Sequence, residues 1–285
     1  IQRCNLDAFL WKRGTLHFGY QSETPGVQDF AIDLFKSGYS LSLEEDAALN
    51  QDALVFLKRW KDNRRYKDAF ETLSEQTTKI INLETDLQKR DTRDLIEIDL
   101  FHLIDQKILS DLVQQVVDRT ISAGDCANLI WRRRTTHWFA RFEHIYEAIH
   151  YGSQFLAQLA TVDLNMGSLS DGINKYQETW FQLDQHYRKF IYHLRASGQA
   201  TLLNKLVQMV ENQYSNSFLL KLNDKWQQLI DQTQTWEAAP CVNQNKFYEH
   251  WVTTELRTSK IAVIISDSLR YEVAQELSEI IQAEE

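Results

Sequence analysis

The sequence predicts a mainly α-helical chain, built as a helical bundle or an array of helical hairpins, followed by the first strand and helix of an α/β domain. Three observations carry that prediction. Nine glycines and two prolines make up only 11 of 285 residues, far below the share found in sandwiches, barrels or disordered chains. Apolar residues recur in alternating steps of four and three through the middle of the chain, the period of a packed helix face. Near the end, Ile261-Ala262-Val263-Ile264-Ile265 is a continuous apolar and largely β-branched run, the pattern of a strand buried on both faces.

Residues 1–26 mix Phe9, Trp11, Leu16, Phe18 and Tyr20 with Gly14, Gly19, Pro25 and Gly26, which predicts an irregular or short β-hairpin entry. A helical domain over 27–240 follows. Its first helix, 27–36, is expected to stop at Ser37-Gly38, and Ser42-Leu43-Glu44-Glu45 reads as a capping box opening a second helix to Lys61. Another helix is expected over 66–89. Residues 91–119 form the longest amphipathic segment of the first half, with Leu95, Ile98, Phe101, Ile104, Ile108, Leu112 and Val116 on one face. Gly124 is expected to end it, with Asp125 capping the next helix.

Three seams then follow: positions 138, 142, 145, 149, 152, 156 and 159; Tyr176, Trp180, Leu183, Tyr187, Phe190 and Leu194; and Leu219, Leu222, Trp226 and Leu229. Such seams favour near-parallel helix packing, and the short links at 165–172 and 196–198 favour antiparallel neighbours. Pro240 is expected to end the helical domain. A connecting helix at 241–258 leads into 259–285, the opening strand and helix of the α/β domain.

Composition excludes some classes and leaves others open. A net charge of −9 disfavours a chain coated in basic charge for nucleic acid, although a local basic patch survives within an acidic whole. Cys4, Cys126 and Cys241 are odd in number, far apart and without a Cys-x-x-Cys pair, the pattern of free thiols in a reducing cytoplasm. No apolar run approaches the ~20 residues of a membrane span, so no membrane partner is expected.

Asp267 is the sharpest candidate site residue, because it stands at the carboxyl end of the expected strand. In open α/β sheets, ligands bind outside those carboxyl ends. Two roles fit it from the residues alone: a metal or phosphate site, or a cap on the amides of the following helix. Histidines repeat at seven, His137 with His144 and His186 with His193, but residues seven apart on a helix lie about 10 Å apart, too far for one ion. His144 and Glu147 have the spacing of carboxylate-bridged metal bundles, which need matching residues on three other helices. A solvated or hydrogen-bonded face is the expected role of these histidines. Two stretches interleave basic and aromatic residues: 58–67, and Trp131-Arg132-Arg133-Arg134 through Phe142. Arg132, Arg133 and Arg134 are the candidate nucleic-acid contacts, weighed against core packing of Trp138 and Phe142 and pairing of arginines with nearby carboxylates.

The stretch Val263-Ile264-Ile265-Ser266-Asp267-Ser268-Leu269-Arg270-Tyr271-Glu272 resembles the first motif of the PglZ proteins, members of the alkaline phosphatase superfamily in bacterial BREX phage-defence systems. Asn5-Leu6-Asp7-Ala8-Phe9, Phe18-Gly19-Tyr20 and Asp99-Leu100-Phe101-His102 are also similar to PglZ. The resemblance implies that Asp267 ligates one of two divalent metal ions, usually zinc, in an alkaline-phosphatase-like domain. It implies a parent that is a metal-dependent phosphatase or phosphodiesterase of the cytoplasm, with other BREX components as partners. The superfamily's nucleophile and remaining ligands lie beyond residue 285, and Ser266 and Ser268 do not match the nucleophile.

This chain is therefore expected to be a fragment ending just inside the catalytic domain, binding no metal and inactive by itself. Its helical region is expected to position the catalytic domain or dock partners. The rival readings are a helical protein-interaction module without hydrolase activity and a DNA-binding arm.

Overall fold

The computed structural model describes residues 6–234, 238–239 and 241–284. Cys4, Asn5 and Pro240 lie outside the described residues, and with Pro240 the expected end of the helical domain. The described residues form helices and contain no strand. In chain order these are α1 (Asp7–Phe18), α2 (Val27–Ser42), α3 (Gln51–Lys61), α4 (Lys67–Ile80), α5 (Leu83–Leu87), α6 (Thr92–Leu95), α7 (His102–Val117), α8 (Ala123–Arg133) and α9 (Phe139–Thr161). There follow α10 (Leu169–Lys175), α11 (Phe181–Ser197), α12 (Ala200–Asn212), α13 (Leu220–Gln232), α14 (Thr253–Glu255) and α15 (Tyr271–Glu284). Widened π turns at Tyr176–Trp180 and Gln213–Leu219 run α10 into α11 and α12 into α13. The chain divides into two compact units, the first ending at Tyr146 and the second beginning at Glu147, where the sequence reading had one helical domain over 27–240.

In the first unit, the irregular or hairpin entry is replaced by helix α1. Gly19 ends this helix in the left-handed conformation (φ 75°), its N–H reaching Thr15 O at 3.0 Å. Trp11, Phe18, Tyr20 and Phe30 then gather into a ring cluster, with Tyr20 edge-on to Phe30 at 5.1 Å. Trp11 and Phe18 share one face of α1, while Phe9 and Leu16 stay exposed.

Gly38 does not stop α2. A Cβ there would lie 2.6 Å from Leu57 Cδ2 and 3.4 Å from Leu100 Cδ1, so the glycine lets α3 approach. The helix continues to Ser42, which closes it by donating to Gly38 O at 2.7 Å, so Ser42 is not an N-cap. Asn50 caps α3 instead, its Oδ1 accepting from Asp52 N at 3.1 Å. The expected helix over 66–89 breaks at Asn82, which takes a left-handed conformation (φ 50°). That over 91–119 breaks after Leu95, and Ile96, Ile98, Leu100 and Phe101 are buried in the non-helical link to α7. Gly124 lies inside α8, whose cap is Ser122, accepting from Asp125 N at 3.0 Å. At the centre, Phe35 contacts Phe70 at 5.3 Å and Phe101 at 5.7 Å, and Trp60 meets Phe70 edge-on at 6.0 Å.

In the second unit the seams point inward much as their period predicts. Ile149, Leu183 and Phe190 are fully buried, Leu156 is half-covered while its neighbour Phe155 is the buried residue, and Gly152 lies under the Phe190 ring, where a Cβ would sit 3.2 Å away. Gly198, at φ 62°, ends α11 as expected. The third seam is only half covered, with Leu219 41% exposed. Where a continuous helix was expected near 244–257 there are short turns and α14. Helix α15 follows as predicted and packs on α11, where Lys189 Nζ meets Glu276 Oε1 at 2.6 Å, Arg188 also pairs with Glu276, and Glu272 is buried.

The expected strand is not formed. Residues 260–266 have no regular structure, and Ile264 and Ile265 are 91% and 86% exposed. A strand is defined by pairing to a neighbour, and among the described residues there is no other strand to pair with.

Gly38→Ala is expected to lower stability by about 1–3 kcal/mol, because Leu57 and Leu100 are buried and cannot yield without repacking. Thermal unfolding followed by circular dichroism checks this. An unchanged midpoint would mean that α3 can shift freely.

Candidate functional site

Asp267 stands in a turn four residues ahead of α15, and its carboxylate is exposed. It makes no hydrogen bond or ion pair among the described residues, so the helix-capping role is not realised here. No group of three or more His, Cys, Asp or Glu side chains among the described residues is placed to hold a metal ion. A zinc ion takes three or four protein ligands, so the described residues do not by themselves fit such an ion.

The candidate arginines separate sharply. Arg133 is fully buried, and its guanidinium donates from Nε and Nη2 to Asp105 at 3.2 and 2.7 Å and from Nη1 to the carbonyls of Ile96 and Ile98, both at 2.9 Å. Its assignment as a nucleic-acid contact is therefore corrected, since a sealed side chain cannot reach a phosphate. Arg132 pairs with Glu97, Nε donating to Oε1 at 2.7 Å, and Arg134 is also engaged within the chain. Trp131 beside them is 69% exposed.

Asp105 also accepts from Tyr146 Oη at 2.7 Å. Burial pushes its carboxyl above the usual range against the pull of Arg133 and the Tyr146 hydroxyl, while Asp105 holds Arg133 above its ordinary value in spite of burial. A second buried carboxylate, Asp99, binds Lys61 Nζ at 2.6 and 2.5 Å and accepts from His137 N at 2.9 Å. His137 in turn sets Nε2 2.9 Å from Glu71 Oε1. The Asp99-Leu100-Phe101 stretch is thus interior packing and pairing, not an open site. Sequence reasoning missed both clusters, because Lys61 with Asp99 and Arg133 with Asp105 are separated by 38 and 28 residues.

In the second unit the turn residues Tyr176 and Tyr214 both donate to Asp184, at 2.6 and 2.8 Å, and the Tyr214 ring stacks on Tyr187 at 3.6 Å. His186 and His193 lie with Tyr151, which stacks on His193 at 5.6 Å. Burial, with His150 and Lys189 nearby, lowers the His186 pKa to about 4, and its Nδ1 is buried without a hydrogen-bond partner. His186 is thus a half-buried packing group with an unsatisfied ring nitrogen, not the solvated or hydrogen-bonded residue that was expected.

Two curated relatives match the chain from end to end. The alkaline phosphatase-like protein BrxZ of Escherichia coli O9:H4 (strain HS) is 28% identical over 312 aligned positions, covering 100% of this chain and 36% of the relative. The alkaline phosphatase-like protein PglZ of Bacillus cereus (strain H3081.97) is 24% identical over 298 positions, covering 100% of this chain and 35% of the relative. This chain is PglZ-like along its whole length. It spans about a third of the length of the curated relatives it matches. No family model matches it, and no solved structure does. The likeness to the PglZ proteins therefore covers the helical units and not only the 263–272 motif. No helix among the described residues is long and apolar enough to cross a membrane.

Arg133→Met is expected to cost about 3–5 kcal/mol, since it leaves Asp105 buried without its counter-charge. Adding Asp105→Leu should recover part of the loss. A double-mutant cycle by denaturant unfolding measures this, and additive losses would mean the two residues are not coupled.

His186 gives a pH dependence of definite sign. Its folded pKa, about 4, lies below the ordinary imidazole value of 6.5, so the neutral form is preferred in the fold. The associated stability is present above about pH 6.5 and drains as pH falls toward 4. His186→Gln should flatten that slope in unfolding midpoints measured across the window.

Proposed function

We propose that this chain is the helical portion of a longer PglZ-like phage-defence protein, whose parent is a metal-dependent phosphatase or phosphodiesterase. The observation that carries the reading is end-to-end similarity to two proteins named alkaline phosphatase-like. Asp267 adds a residue-level reason, because it follows the apolar run 261–265 and keeps a free, exposed carboxylate. In the parent, 261–265 becomes a strand of an alkaline-phosphatase-like sheet, paired on both sides. That pairing accounts for an apolar segment left in water here. Asp267 then supplies one ligand to a metal pair, with the other ligands and the nucleophile coming from the rest of the parent.

A metal pair of that kind lowers the pKa of an attacking hydroxyl and neutralises a leaving oxygen. With one carboxylate, this chain alone does neither. Its role is to position the catalytic domain and to dock partners, among them other BREX components, in the cytoplasm. The alternative is a helical interaction or DNA-binding module with no hydrolase in the parent. The exposed Trp131 beside Arg132 and Arg134 favours its DNA-binding form, and Glu97, already paired with Arg132, weighs against it.

Asp267→Asn in the complete protein is expected to lower both bound zinc, read by atomic emission, and hydrolysis of an aryl phosphate ester. The isolated chain should show neither. Unchanged metal content and turnover in the variant would leave the helical module as the surviving reading.

A further inference from the structure

A groove of about 590 Å³ runs between α2, α3 and α4 of the first unit. Phe30, Ala31, Leu34, Phe56, Trp60 and Leu73 wall it, and Val27 and Tyr66 stand at its rim, 68% and 46% exposed. Single exposed apolar side chains are ordinary, but a contiguous concave apolar surface marks an interaction site.

Charge around the groove is one-sided. Residues 58–67 contain Lys58, Arg59, Lys61, Arg64, Arg65 and Lys67 against Asp62 alone, in a chain whose net charge is −9. Lys61 is occupied by Asp99, and Lys67 leans on Glu71 at 3.6 Å. Lys58, Arg59 and Arg64 are exposed and have no carboxylate partner among the described residues. Arg59 lines the groove itself. A protein with 40 acidic residues thus leaves three cations unpaired beside its apolar groove.

We infer that this groove docks an acidic amphipathic segment of a partner protein. Its apolar side chains fill the space between α2, α3 and α4, and its carboxylates meet Lys58, Arg59 and Arg64. This is the helix-in-groove mode, in which apolar anchors supply affinity and the charged rim supplies orientation and partner choice. The alternative of single-stranded nucleic acid fits the walls less well. Base stacking needs open ring faces, whereas Trp60 is packed edge-on against Phe70 and Phe30 against Tyr20. The inference goes beyond the hydrolase reading and does not depend on Asp267.

The test is fluorescence anisotropy on the full chain with three labelled probes. The first is a synthetic peptide of about fifteen residues, long enough for a marginal helix, with leucine or phenylalanine at helical spacing and aspartate or glutamate elsewhere. The second replaces its acids with lysine, and the third is an oligothymidylate of similar length. The acidic peptide should bind at least about tenfold tighter than the other two, and more weakly as salt rises. Arg59→Glu combined with Arg64→Glu should weaken it by about tenfold or more. Val27→Asp should also weaken it without loss of helicity, since Val27 is exposed at the first position of α2, where a carboxylate favours the helix. Absence of binding, equal binding of the two peptides, or tighter binding of the oligonucleotide would overturn the inference. Self-association of the chain that disappears in the double arginine variant would also overturn it, giving the groove to a second copy.

Discussion

The first unit is organised around one buried guanidinium. Arg133 reaches Asp105 and, at the same time, the carbonyls of Ile96 and Ile98, which lie in the non-helical link between α6 and α7. Backbone carbonyls buried in a link have no helical donor and must find one elsewhere. Arg133 is that donor, so the break in what would otherwise be one long amphipathic helix is held by a side chain from α8. Tyr146 completes the set by donating to Asp105 Oδ1, the oxygen that also accepts from Arg133 Nε. Burial raises the Asp105 carboxyl despite its partners, while Arg133 holds both that carboxylate and the link carbonyls in place. With the link fixed, Leu100 and Phe101 are held in the interior, where Phe101 joins the cluster of Phe35 and Phe70.

The second unit solves a similar problem with tyrosines. Two π turns widen the helices at Tyr176–Trp180 and Gln213–Leu219, and each places a tyrosine hydroxyl on Asp184. An extra residue in a helical turn costs hydrogen-bond geometry, and the shared carboxylate and the Tyr187–Tyr214 stack offset that cost. Helix α15 is held to α11 by Arg188 and Lys189 acting on Glu276. The apolar run before it has no such anchor. Its isoleucines lie in water because hydrophobic burial of a strand needs a sheet on both edges and layers on both faces.

The chain is PglZ-like from end to end, yet among the described residues no group of side chains is placed to hold a metal ion. The likeness at Asp99-Leu100-Phe101 belongs to packing and ion pairing, with Asp99 taken by Lys61 and the His137 amide. That at Asp267 belongs to an exposed turn with a free carboxylate. Similarity in the helical units reports a shared scaffold, and chemistry is a property of sites placed on scaffolds.

Helical content, the inward face of the second seam, the stop at Gly198 and the helix after Asp267 were all legible in the sequence. Each depends on local period or on a single backbone preference, and both act over a few residues. Gly38 was misread as a break for the converse reason, and Gly14 and Gly124 simply lie inside their helices. A glycine that admits a neighbouring helix looks in sequence like one that ends its own, and only Leu57 at 2.6 Å tells them apart for Gly38. Arg133 was misread in the same way, because a run of three arginines gives no sign of which one finds a carboxylate 28 residues away. The strand at 261–265 is the opposite case: its residues fix a preference, but pairing requires a partner that lies outside the segment. Local preference was decided by the sequence, whereas burial, ion pairing and strand formation waited on contacts between residues far apart in the chain.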